Sequence, residues 1–170
     1  MKKLLALFDH LVNGMIFLAG LILVFIMFSV CMEVILRYFL NRPQMWVTEV
    51  TEVLLLYITF LGSAWLLREE GHVKVDIILN RLKPRMVALL GIFSSVIGIL
   101  VSITLTVAGF RLTWDYLQRG IYTPTAMEIP VSIIIVIIPV GSLMLLIQFV
   151  RKCWLNVTGF VIETGKPDAQ

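Results

Sequence analysis

The groups in this 170-residue chain that could do chemistry are few, and the most informative are ionisable residues set within or beside long apolar runs. Glu33 and Arg37 stand four apart near the end of the first run, Glu49 and Glu52 three apart at the start of the second, with Arg42 between them. A charge at mid-membrane costs about 2.5 to 3.5 kcal/mol on insertion scales, so each of these groups needs a partner. Three carboxylates face Arg37 and Arg42, and negative charge is left over. Three chemistries fit: a structural network with water and snorkelling side chains, a face that meets polar or basic groups of a partner membrane protein, or an ion or proton pathway.

Other chemistries find no support. His10 and His72 lie outside or at the edge of the apolar runs, which excludes a membrane haem anchor with axial histidines inside its helices. Cys31 and Cys153 form no Cys-x-x-Cys pair, and no Ser/His/Asp set, phosphate loop or metal-ligand cluster can be assembled. The chain reads as a non-enzyme with no cofactor of its own.

The elements that must hold these residues follow from composition. Hydrophobic residues make up 59% and charged ones 15%, against about 25% charged in a soluble domain. An apolar run of about 20 residues, at ~1.5 Å each, matches the ~30 Å hydrocarbon core. Barrel strands would alternate, whereas residues 132–147 are apolar almost all round. The fold class is therefore an all-α membrane protein with four transmembrane helices, expected at about 11–38, 46–67, 86–110 extending to 119, and 127–150.

Residues 1–10 read as a short amphipathic lead-in at the inner surface. The break at Asn41, Arg42 and Pro43 makes a tight hairpin, which puts Glu52 about 9 Å below Trp46 in the outer half of the bilayer. Between spans two and three, Val75, Ile78, Leu79 and Leu82 recur at helical spacing among polar residues. That pattern predicts a short amphipathic interfacial helix at about 74–82.

Arg111, Asp115 and Arg119 follow at intervals of four, able to pair along one face of the third helix. Pro139 and Gly141 lie inside the fourth span, where the proline should kink it. Residues 1–152 form one transmembrane domain and residues 153–170 a short, loose cytoplasmic tail.

Orientation follows from the cations. With both termini cytoplasmic, the inner side carries Lys2, Lys3, Arg68, Lys74, Arg81, Lys83, Arg85, Arg151, Lys152 and Lys166. The outer side keeps Arg37, Arg42, Arg111 and Arg119, as the positive-inside rule requires. The net charge of +3 is thus spent on topology, and no nucleic acid partner is implied. Trp46, Trp65, Trp114, Tyr116, Tyr122 and Trp154 sit near span ends as interfacial anchors, while Gly14, Gly20, Gly62, Ser63, Gly91 and Gly98 permit close helix packing.

The order of certain motifs is more specific. Trp46 with Glu49 opens the second helix, Leu61-Gly62-Ser63-Ala64 lies near its end, and Gly71-His72-Val73-Lys74-Val75-Asp76 follows. Pro124, Glu128-Ile129-Pro130 and Ile138-Pro139-Val140-Gly141 mark the last turn and helix. From about residue 10 to 150 the chain resembles the small, DctQ-like membrane subunit of TRAP transporters.

The resemblance implies a multi-pass protein of the bacterial inner membrane. It implies two protein partners besides membrane lipids: a large membrane subunit holding the sodium and substrate sites, and a periplasmic substrate-binding protein that delivers an organic acid such as a sialic acid or a dicarboxylate. The small subunit would enlarge the static scaffold against which the large subunit's transport domain moves. On that reading Glu33, Arg37, Trp46, Glu49, Glu52, Gly62 and His72 belong to the partner interface, and Arg42, Arg119 and Tyr122 to a periplasmic docking surface.

The alternative from the residues themselves is a small multidrug-type, proton-coupled exporter working as a homodimer. It would use Glu33 as its membrane carboxylate. An inert assembly or lipid-organising protein is a third class.

Overall fold

No proline precedes Pro43 in the sequence, and the first helix runs without a break. The computed structural model of the chain describes residues 2–42, 44–69, 84–125 and 127–164. Its helices are α1 (Lys2–Leu40), α2 (Met45–Glu69), α3 (Pro84–Arg119), α4 (Val131–Ile135) and α5 (Ile137–Thr164). Among the described residues four segments are long and apolar enough to cross a bilayer: Leu7–Leu40, Met45–Glu69, Leu89–Arg119 and Val131–Thr158. The expected interfacial helix at about 74–82, and His72, lie outside the described residues.

Several boundaries differ from those expected. The lead-in at residues 2–10 is the first part of α1 itself, because Leu- and Ala-rich sequence with no breaker sustains helix from Lys2 onward. α3 persists for 36 residues to Arg119, about 54 Å at the helical rise. That exceeds the ~40 to 45 Å of a whole bilayer, so the helix must tilt or protrude.

The fourth span starts at Val131 instead of 127, since residues 121–123 pair with 129–131 in a turn. At its far end, helix continues past 152 to Thr164, so residues 153–164 of the expected tail are the last turns of α5, and residues 165–170 lie outside the described residues.

The turns close by local bonding. Asn41 takes a left-handed φ of 52°, which asparagine tolerates, and the Arg42 N–H reaches back to Leu36 O at 3.2 Å. α3 ends in a Schellman arrangement: Gly120 has φ 59° and the Ile121 N–H points to Tyr116 O at 3.5 Å. Beyond it Tyr122 bridges Pro130, with Thr123 N–H to Ile129 O and Val131 N–H to Ile121 O both at 3.0 Å.

Near Pro139, where a kink is expected, the helix is perturbed at Val136, between α4 and α5, although Val136 keeps helical dihedrals (φ −56°, ψ −26°) and its N–H still reaches Ser132 O at 3.1 Å. Pro139 has no N–H to offer the carbonyl one turn back, at Ile135.

Packing proceeds from α1 to α2, α2 to α5 and α5 to α3, an open row in which α1 and α3 are the outer edges. The core joins Ala19 of α1, Leu61 of α2 and Ile137 of α5, flanked by Ile16, Tyr57 and Phe60. In its most apolar 18-residue stretch the fourth span is 28% buried, against 11% in the corresponding stretch of each of the others, as suits the helix with the most neighbours. It approaches the α2 backbone closely at Gly141, where a Cβ would stand 2.6 Å from Phe60 Cβ and 2.9 Å from Phe60 O.

Along α3 the buried Ser95 and Ser102, with Gly98, face α5, and the Gly98 backbone lies directly against the Phe149 ring. Thr106 Oγ1 of α3 lies 3.0 Å from Ser142 Oγ of α5, whose hydroxyl donates to Ile138 O at 2.6 Å. Small residues here let the backbones approach and let hydroxyls bond across an otherwise apolar contact.

Candidate functional site

The charged residues gather at the two ends of the row. At one end are the turn after α1 and the turn after α3. Glu33 Oε1 and Arg37 Nε are 3.6 Å apart on α1, with the Glu33 side chain 14% exposed. The Arg37 guanidinium also lies 5.4 Å from the Tyr38 ring centroid, within cation–π range. This pairing occupies the one membrane carboxylate an exporter mechanism would use.

Glu49 turns inward along the row and not away from the chain. Its Oε2 accepts the Met127 N–H at 3.2 Å, tying the start of α2 to the turn between α3 and α4. Glu52, three residues further along α2, is exposed. Among the described residues it has neither an ion-pair nor a hydrogen-bond partner. Exposed Trp46 donates from its indole to Gln44 Oε1 at 3.1 Å. Gly62 looks onto α1, where a Cβ would meet Ile16 Cδ1 at 3.9 Å, so it serves packing inside the chain.

Arg42 is exposed beside the first turn. Arg119 Nε pairs with Asp115 Oδ1 at 2.8 Å, and Tyr122, 59% exposed, lies in the second turn. Arg111 does not complete the expected three-charge row: Asp115 pairs with Arg119, and Arg111 makes no ion pair among the described residues. It lines a groove of about 510 Å³ on α3 and α5 with Phe110, Trp114 and Pro139 instead.

The opposite end holds a cluster that the sequence analysis did not assemble. Asp9 Oδ1 of α1 lies 2.8 Å from Arg151 Nη1 of α5 and 3.9 Å from Arg68 Nη1 of α2. Arg68 Nη2 also donates to Asn13 Oδ1 at 2.6 Å and stands 3.5 Å from Glu69. One carboxylate thereby clamps three helices. The available signal was the spacing of Asp9 and Asn13, one turn apart within α1, but their partners lie 55 to 142 residues away.

Among the described residues the arrangement consists of charge networks and helix contacts. Among the described residues no group of His, Cys, Asp and Glu could hold a metal ion. Comparison with curated proteins gives no match. Residues 26–159 match the DctQ component of the tripartite ATP-independent periplasmic transporters, well over half of the sequence. With four apolar helices in a row and a match of that extent, the chain belongs to the DctQ family, the small membrane component of TRAP transporters.

Proposed function

We propose that this chain is the scaffold subunit of a sodium-driven, binding-protein-dependent transporter for an organic acid of the sialic acid or dicarboxylate class. Components of its family work with a large membrane subunit and a substrate-binding protein. The open row of helices carries the scaffold reading: α1 packs mainly on α2, and α3 on α5 and α4, leaving apolar side chains such as Phe17, Leu21 and Phe28 on α1 exposed. An open row widens the membrane footprint more than a closed bundle of the same four helices would, and its exposed faces offer a contact line to a second membrane protein.

Glu52 supports a contact along α2. An exposed carboxylate within a span is costly in lipid, and a basic or polar group from outside the chain would relieve it. Trp46 stands on the same helix end. Glu33 with Arg37 completes the polar edge on α1. The Asp9 cluster, the end of α2 and the start of α3 share one end of the row, which in this reading faces the cytoplasm of a bacterial inner membrane together with both termini. Arg42, Arg119 and Tyr122 then face the periplasm, where the binding protein docks.

The test is reconstitution in vesicles with the large subunit and binding protein of the same transporter. Uptake of labelled organic acid should require all three proteins and an inward sodium gradient, and Glu52→Ala should lower co-purification with the large subunit. Transport by this chain alone would refute the accessory role. Full complex yield from Glu52→Ala would remove Glu52 from the contact.

A further inference from the structure

At the clamped end of the row a cavity of about 160 Å³ opens between α2 and α5, lined by Leu67, Arg68, Gln148, Arg151, Lys152 and Leu155. Its volume exceeds by roughly tenfold the ~10 to 15 Å³ that admits one water. Three of its six lining residues are cations. Asp9 and Glu69 are the carboxylates that reach them, Asp9 being shared between Arg68 and Arg151. Among the described residues Lys152 has no carboxylate within ion-pair distance. The cluster therefore keeps one positive charge in excess.

A second observation is independent of that charge. Gln148 lines the same cavity, is 4% exposed, and its Nε2 has no hydrogen-bond acceptor among the described residues. A buried amide donor left unmade costs about 1 to 3 kcal/mol, so an unpaired one beside three cations calls for an anionic acceptor. The acceptor must offer several oxygens to donors on two helices, which is the chemistry of a phosphate group.

We propose that this cavity binds the phosphodiester of an anionic glycerophospholipid, with Gln148, Lys152 and Arg151 as donors and Arg68 as a further cation. The shared chemistry would also suit free phosphate, but the setting favours the lipid. The cavity lies where the α2 span ends at Glu69, and a 25-residue helix, about 37 Å long, reaches past a ~30 Å hydrocarbon core into the headgroup region. It is flanked by Leu67 and Leu155, and Leu66, Trp154 and Leu155 present exposed apolar surface for acyl chains. A headgroup held between α2 and α5 would add a non-covalent tie beside the Asp9 clamp.

The experiment uses the purified full-length chain in neutral detergent, with unfolding followed as short-chain phosphatidylglycerol is added. The expected result is a saturable rise in midpoint that phosphatidylcholine of the same chain length does not produce. Gln148→Leu and Lys152→Gln should each weaken the apparent affinity at least fivefold, and Asp9→Asn should strengthen it by freeing Arg151 and Arg68. Helical circular dichroism checks each variant; should Gln148→Leu fail to fold, Lys152→Gln decides alone. Equal responses to the two lipids, or unchanged affinity in Lys152→Gln, would overturn the site. Inorganic phosphate producing the same saturable rise at matched concentration would overturn its assignment to lipid.

Discussion

Replacing Gly141 with alanine asks whether α2 and α5 really meet backbone to backbone. The added Cβ would stand 2.6 Å from Phe60 Cβ, 2.9 Å from Phe60 O and 3.0 Å from Phe60 Cδ1. Ordinary carbon contacts lie at about 3.5 to 4.0 Å, so the helices must part by roughly 1 Å. Phe60 Cβ and O are fixed to the α2 backbone and cannot swing aside as a side-chain tip would. Overpacking of this kind costs about 1 to 3 kcal/mol, and alanine's better helix propensity returns up to about 1 kcal/mol.

Set against the same glycine-to-alanine change at an open helical site, which cancels the propensity gain, the expected loss is about 1 to 3 kcal/mol, or roughly 2 to 12 °C in an unfolding midpoint for a chain of this size. Gly20→Ala is the control: the same chemical change is made where nothing lies within 4 Å of the new Cβ, so its midpoint should stay level or rise. Both are read by thermal unfolding of the detergent-solubilised chain followed by circular dichroism. If Gly141→Ala is as stable as Gly20→Ala, the close crossing at Phe60, and the helix order built on it, is wrong.

Tyr57→Phe removes the phenol that donates to Ile133 O at 2.6 Å, beside the perturbation at Val136, and should cost about 0.5 to 1.5 kcal/mol in the same unfolding assay. Glu49→Ala deprives the Met127 N–H of its carboxylate acceptor, and its amide should exchange with deuterium roughly two- to tenfold faster, while amides at the Asp9 end stay unchanged. Arg42→Glu or Arg119→Glu should weaken binding-protein-dependent uptake while leaving co-purification with the large subunit intact. Unchanged uptake in both would end the docking proposal.

Residues singled out by chemistry alone divided according to reach. Glu33 and Arg37 are one turn apart, so helix geometry alone brings them together, and the structure keeps them at 3.6 Å. Glu49 looked the same in the sequence, a carboxylate near a span start, yet it bonds a backbone N–H 78 residues away. Asp9 lay in a segment read as a separate lead-in, and its partner Arg151 is 142 residues distant. The perturbation near Pro139 was legible because a missing N–H acts on the same helix, whereas the turn that delayed the fourth span to Val131 depended on pairing between residues 121–123 and 129–131.

Sequence by itself determined that four apolar helices cross a bilayer, where the first hairpin turns, and which family's motif order the chain carries. These depend on how many consecutive residues lipid will accept and on breakers acting within a few positions. Tertiary structure alone decided that the helices stand in a row ordered α1, α2, α5, α3, that Asp9 locks three of them, and that Gln148 and Lys152 share a cavity with two arginines. In a membrane nearly every face of such helices is apolar, so hydrophobicity does not choose neighbours. The choice falls to small residues that admit a close backbone and to scattered polar groups that need one another.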